Sequence, residues 1–273
     1  MRISRHTTAL TLGAVLSAMV VGGHAQAAAG DDETERAARW TELQQSIFGD
    51  RKVETGPALV TMDLPDRASD ASLVPLTLTM PGKDKIQGLY LVIDDNPAPL
   101  AAHFVFGPAA DPDTLKMRVR VNTYTNIHAV AETKDGRLVE SAKFVKASGG
   151  CSAPMGMSDQ EAMQGMGDMR MKFADSKPGK PIEATLMIRH PNFSGMQMNQ
   201  VSRDYTPARY INKIAVTYGD KSVFTMDGDI SISANPVINF AMLPEGKGPI
   251  KVVAGDNQGG RWEHSFDAPA ASN

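Results

Sequence analysis

Residues 125–146 read TNIHAVAETKDGRLVESAKFVK. Two β-rich runs, 125–133 and 137–146, flank Asp135-Gly136, and Asp-Gly signals a two-residue hairpin because both central turn positions take positive φ. Similar short runs lie upstream near 58–64, 72–80, 86–94, 103–107 and 115–123, separated by Pro, Gly, Asn and Asp. Before them the period changes. Asp32 with Glu35 can form a capping box, Trp40, Leu43 and Ile47 fall on one helical face, and Gly49 is a plausible stop.

Downstream of the hairpin, residues 149–168, GGCSAPMGMSDQEAMQGMGD, are rich in Gly, Met and small polar residues and lack strand alternation. Strand-like runs resume near 169–174, 181–189, 210–217, 221–226, 229–233, 236–242, 249–254 and 261–266. Short strands punctuated by turns, without alternating long helices, predict an all-β protein. The expected architecture is two tandem immunoglobulin-like antiparallel β-sandwiches with a short N-terminal helix. The expected divisions are a signal peptide at 1–27, a first domain at 28–152, a Met/Gly-rich linker at 153–166 and a second domain at 167–273.

The signal peptide rests on Arg2 and Arg5, the apolar run Ala9 to Val21, and Ala25-Gln26-Ala27 as a small-residue cleavage site. That run of about 13 residues is short of the roughly 20 needed to span a bilayer. Export to the periplasm is expected, with no membrane span. The 273 residues are 42% hydrophobic and 22% charged, which excludes a disordered or collagen-like chain. Without Arg2 and Arg5, 26 basic side chains oppose 31 acidic ones. No basic stripe is visible, so nucleic acid is not an expected partner.

An exported protein ordinarily pairs its cysteines, yet Cys151 is the only one. Gly149-Gly150-Cys151 directly follows the last strand of the first half. Two residues without Cβ atoms allow wide backbone freedom and leave the thiol unscreened, which suits a group carrier on a short flexible arm. A lone exported thiol also permits a disulfide-linked dimer, with the monomer as the basic state.

These residues resemble the sulfur carrier of the thiosulfate-oxidation system, SoxY, whose Gly-Gly-Cys tail bears sulfur intermediates. The resemblance extends to Trp40, Phe48-Gly49-Asp50-Arg51, Leu73-Val74-Pro75, Ile93-Asp94-Asp95-Asn96-Pro97 with Pro99, and Gly136. The second half is similar to the partner subunit SoxZ through Ile188-Arg189-His190-Pro191 with Gly195, Tyr210-Ile211, Ser233-Ala234-Asn235-Pro236 with Phe240, and Asp256-Asn257 before Gly259. The chain thus resembles a fused SoxYZ-like carrier, of the branch linked with quinoprotein dehydrogenases.

The resemblance implies a covalent sulfur adduct on Cys151, no other cofactor, and no catalysis by the chain itself. Periplasmic redox or hydrolytic enzymes would load and process the cargo. Two departures matter: Ser152-Ala153-Pro154 continues the chain, so the arm is tethered at both ends, and the quinoprotein-dehydrogenase branch is not tied to a full thiosulfate pathway, so the resemblance implies carriage but not thiosulfate as the cargo.

A different class of function is copper binding or delivery through Cys151, Met155 and Met157, because thiolate and thioether ligands suit Cu(I). Against it, Met163, Met166 and Met169 can pack along one face of a short linker helix. A blue-copper site would need histidines close to the cysteine, and none follows Cys151 until His190. A thiol hydrolase would need folding to bring a histidine to Cys151. His103, His128, His190 and His264 are dispersed and read as strand-face or turn residues.

Overall fold

The computed structural model describes residues 32–56, 59–174, 178–199, 202–244 and 247–269; the expected signal peptide and its cleavage site lie outside them. Helix α1 (Glu33–Phe48) starts where the Asp32 carboxylate accepts from the amides of Thr34 and Glu35, at 2.7 and 3.3 Å. It stops at Gly49, whose φ of 62° is a left-handed conformation and whose amide donates to the Gln45 carbonyl. Trp40 and Phe48 are buried against Val92, Val130 and Leu138, with Leu43 and Ile47 packed beside them. The expected apolar face therefore docks the helix on the first half.

The first half then runs β1 (Val53–Thr55), β2 (Thr61–Asp63), β3 (Val74–Thr79), β4 (Ile86–Ile93), β5 (Leu100–Phe106), β6 (Ala110–Val119), β7 (Thr125–Thr133) and β8 (Leu138–Val145). The hairpin at Asp135-Gly136 forms between β7 and β8, with Glu132 opposite Leu138, but the expected two-residue turn is corrected: only Gly136, at φ 85°, has positive φ, and the Thr133 amide donates to the Arg137 carbonyl across a longer loop. A one-turn helix α2 (Asp159–Met163) carries a complete capping box between Ser158 and Glu161. The second half comprises β9 (Met169–Phe173), β10 (Ile182–Ile188), β11 (Ile211–Tyr218), β12 (Lys221–Gly228), β13 (Val237–Met242), β14 (Ile250–Asp256) and β15 (Arg261–Phe266).

These strands build two sheets. One has nine strands in the order β1-β8-β7-β4-β5-β12-β11-β14-β15, the other six in the order β2-β3-β6-β13-β10-β9. The immunoglobulin-like sandwich architecture is as expected. The two sandwiches are, however, joined edge to edge in both layers. Strand β5 pairs with β12, placing Phe106 opposite Phe224, and β6 pairs with β13, placing Lys116 opposite Asn239.

An unpaired edge strand leaves a row of N–H and C=O groups unsatisfied, and here each half covers the edge of the other. The core is accordingly continuous. Phe104 of β5 and Phe224 of β12 lie 5.7 Å apart and link the halves, and Phe240 packs on Phe224 at 5.1 Å, each ring worth about 1.5–3 kcal/mol when buried. One large apolar cluster thus runs through both halves, with a smaller one between α1 and the sheet.

Two strand assignments also change. Residues 229–233 form a turn with a single bridge at Ile232 rather than a strand. Strand β1, which the pattern did not reveal, pairs in parallel with β8 through only Val53, Glu54 and Thr55, too few residues to show a period.

Candidate functional site

The chain leaves β8 at Val145 and returns across the end of the sandwich to Cys151. The Gly149 amide donates to the Asn122 carbonyl at 2.7 Å and the Gly150 amide to the Val121 carbonyl at 3.1 Å. The Ser152 amide closes a turn on the Gly149 carbonyl at 3.2 Å. Both glycines are required, for different reasons. Gly149 has φ 74°, whereas a Cβ on Gly150 would collide with the carbonyl oxygens of Ala71 and Val121.

The segment is also strapped from the other half. Ser194, in the loop between β10 and β11, donates its hydroxyl to the Cys151 carbonyl. Gln197 Oε1 accepts from the Ser194 amide at 2.8 Å and lies 3.0 Å from the Ser194 hydroxyl. Cys151 is 0% exposed. The expected free, unscreened arm is thus corrected for this conformation. Glycine lets the backbone come close enough to be gripped, and the grip comes from residues distant in sequence.

Burial pushes the thiol up to about 11 from its usual value near 9, opposed by the positive charge of Arg120. At neutral pH the docked cysteine is a protonated thiol, which is the unreactive form. Arg120 is 1% exposed. Its Nη1 donates to the carbonyls of Ile232 and Ile230 at 2.6 and 3.3 Å, and its Nε has no partner. Burial lowers its pKa to about 10, so it remains charged at neutral pH. Among the described residues Arg120 forms no ion pair, and Cys151 is the one titratable group whose charge acts on it.

Sequence reasoning did not single out Arg120. A signal existed only in its position, a long cation one residue before the strand-end segment Val121-Asn122 that receives the arm.

No histidine acts on the Cys151 thiol among the described residues, so the arrangement needed for a thiol hydrolase is not assembled. His128 instead lies between Glu140, 3.0 Å from Nδ1, and Asp94, 3.1 Å from Nε2, with Trp40 stacked on it at 3.7 Å. Burial alone would lower the pKa of His128, but its hydrogen bonds to Asp94 and Glu140 outweigh burial and raise it. His103 stacks on Tyr90, and His190 Nδ1 accepts the Asn192 amide at 3.0 Å. His264 is an exposed residue of β15.

Asn235 adopts φ 47° and its side-chain oxygen accepts from the His190 amide, while the Asp256 carboxylate accepts from the Gln258 and Gly260 amides. Both are turn-forming roles.

The methionines divide. Met155, Met157 and Met198 line an open groove of about 800 Å³ together with Pro154 and Gln197, and Met157 is 52% exposed. Cys151 is not part of that lining. The expected helical packing face is corrected: α2 ends at Met163, which is exposed, and Met169 instead begins β9 as a buried residue.

Comparison with known families places this geometry. Residues 44–151 match the family described as sulfur oxidation protein SoxY, and the match ends on Cys151 itself. Residues 169–267 match sulphur oxidation protein SoxZ. The chain is a SoxY–SoxZ fusion. The boundary between the two matches, 152–168, contains α2 and most of the Met-rich segment.

No curated protein sequence matches this SoxY–SoxZ fusion. Among solved structures it is similar to the sulfur carrier protein SoxY from Chlorobium limicola f thiosulfatophilum, at 20% identity and a TM-score of 0.36, covering 41% of this chain and 94% of that one. A beta-glycosidase from Bacteroides vulgatus aligns at 10% identity and a TM-score of 0.24, covering 83% of this chain but only 26% of the glycosidase.

Proposed function

We propose that this SoxY–SoxZ fusion is a periplasmic, non-catalytic carrier that holds a sulfur-containing group covalently on Cys151 and presents it to redox or hydrolytic partner enzymes. The observation that carries this reading is the SoxY match terminating on the single cysteine, with SoxZ following in the same chain. No further cofactor is needed, because the chemistry resides in the S–S bond of the adduct. The partners would be those of sulfur-compound oxidation, in the setting of the quinoprotein-dehydrogenase branch that the fused sequence resembles.

The docked segment fits such a role through its energetics. Three hydrogen bonds, from Gly149, Gly150 and Ser194, hold the arm, and each contributes on the order of 1 kcal/mol net. A hold of that size keeps the thiol and its cargo away from solvent thiols, yet a partner can release it. Opening removes burial, returns the thiol toward its ordinary acidity and exposes the thiolate for loading.

Intact-mass spectrometry of protein isolated from periplasm without reductant is the test. A reducible mass addition mapping to the Cys151 peptide, and absent from Cys151→Ser, is expected. An unmodified Cys151 with copper co-purifying would overturn the carrier in favour of the copper reading.

A further inference from the structure

We propose that Arg120 and Gln197 form a built-in anion pocket, which makes docking of the arm selective for a negatively charged adduct on Cys151 over a neutral one. The inference deepens the carrier reading and rests on it for its biological meaning. The class of ligand is a Cys-linked group ending in a sulfonate, such as an S-thiosulfonate.

Two unpartnered donors carry the argument. Arg120 is buried with its Nε unsatisfied, and Gln197, 3% exposed, has its Nε2 unsatisfied. Native proteins rarely leave such groups orphaned, and a buried cation without a counter-ion is costlier than a buried neutral donor. Both flank the docked segment. The residue after Arg120 receives the Gly150 amide, and the side chain of Gln197 orients Ser194, which holds the Cys151 carbonyl.

The empty arm does not satisfy these donors. Burial keeps the docked thiol protonated, so it brings no charge to Arg120. An adduct ending in sulfonate is ionised at every physiological pH and brings three acceptor oxygens. Guanidinium–oxyanion hydrogen bonds are about twice as strong as neutral ones. The loaded arm would therefore dock more firmly than the empty one, and loss of the charged terminus would loosen it.

Purified full-length protein is loaded in two ways. With tetrathionate, the Cys151 thiolate attacks a central sulfur, forming Cys–S–S–SO3− and releasing thiosulfate. With methyl methanethiosulfonate it forms neutral Cys–S–S–CH3 and releases methanesulfinate. Removal of each adduct by dithiothreitol is followed by intact mass, and each rate is normalised to that of the same protein unfolded in urea, which cancels intrinsic reactivity.

The expected result is that folding protects the thiosulfonate about tenfold or more beyond the methyl disulfide. Arg120→Met should abolish that difference, Arg120→Lys should keep part of it, and Gln197→Met should reduce it. Equal protection of the two adducts in the unsubstituted protein overturns the pocket whatever the variants do. So does a difference that survives in a folded Arg120→Met. Because loading is done in vitro, these outcomes are independent of the periplasmic cargo: a pocket can fail while Cys151 is found loaded in cells, and the reverse.

Discussion

Two buried basic side chains of the SoxY half, His128 and Arg120, have surroundings that differ in kind. His128 has a carboxylate on each ring nitrogen, Glu140 on one side and Asp94 on the other, and a tryptophan over its face. Arg120 has only backbone carbonyls and the neutral Cys151 thiol. A proton on His128 is balanced by two carboxylates of the same fold, and the Trp40 ring stacked on it joins α1 to the sheet. The charge of Arg120 is balanced by no carboxylate among the described residues, beside the cysteine proposed to acquire a group from outside. A basic group compensated internally is structural, whereas a buried cation left without a counter-ion beside the single cysteine is what motivates the ligand proposed for it.

The contrast can be broken most directly by removing each basic group. His128→Leu leaves Asp94 and Glu140 buried without their partner, and unfolding stability should fall by about 3–5 kcal/mol. Arg120→Met removes a buried charge that has no counter-ion, and the same urea titration should show a change within about 1 kcal/mol. Comparable losses for both would mean Arg120 is a structural group like His128. Because the folded pKa of His128 is raised, its contribution is fully present below the ordinary histidine value of about 6.5 and is lost as pH rises through the raised value. His128→Leu should lack that component of the stability profile.

A second test removes the docking of the arm without touching either charge. Gly150→Ala places a methyl group against the Ala71 and Val121 carbonyls. The segment then cannot seat, and Cys151 should alkylate at neutral pH about a hundredfold faster than in the parent, close to the rate of an exposed thiol. Unchanged alkylation would show that the buried position of Cys151 does not depend on this contact.

The third expectation concerns pH. The docked thiol has its pKa raised to about 11 from 9.0, so below pH 9 both docked and undocked thiols are neutral and docking is unaffected. Between pH 9 and 11 the undocked thiol ionises while the docked one does not, and docking weakens by roughly a hundredfold over that window. Iodoacetamide reactivity of Cys151 should keep rising to about pH 11. A plateau just above pH 9 would place the thiol in water. The smallest effect belongs to Ser194→Ala, which deletes one strap and should accelerate alkylation about fivefold, the equivalent of about 1 kcal/mol.

Much of this molecule was legible in its residue order. The β7–β8 hairpin followed from Asp135-Gly136 between alternating runs, and α1 from Asp32, the Trp40 face and Gly49, because capping, turn chemistry and periodicity are local properties. Cys151 and its glycines also stood out as a constellation. Strand β1 did not, being three residues long and held by its neighbour. Nor did the edge-to-edge union of the sandwiches, since β5 and β12 look alike whether they face water or one another.

The sequence by itself therefore determined most of the elements, their order, the family resemblance and the single cysteine. Tertiary structure decided whether that residue is exposed and which charge faces it. The reason is distance along the chain: Ser194 reaches Cys151 across 43 positions and Arg120 reaches Ile232 across 112. Burial and charge balance are sums over such distant neighbours, and no local pattern contains them.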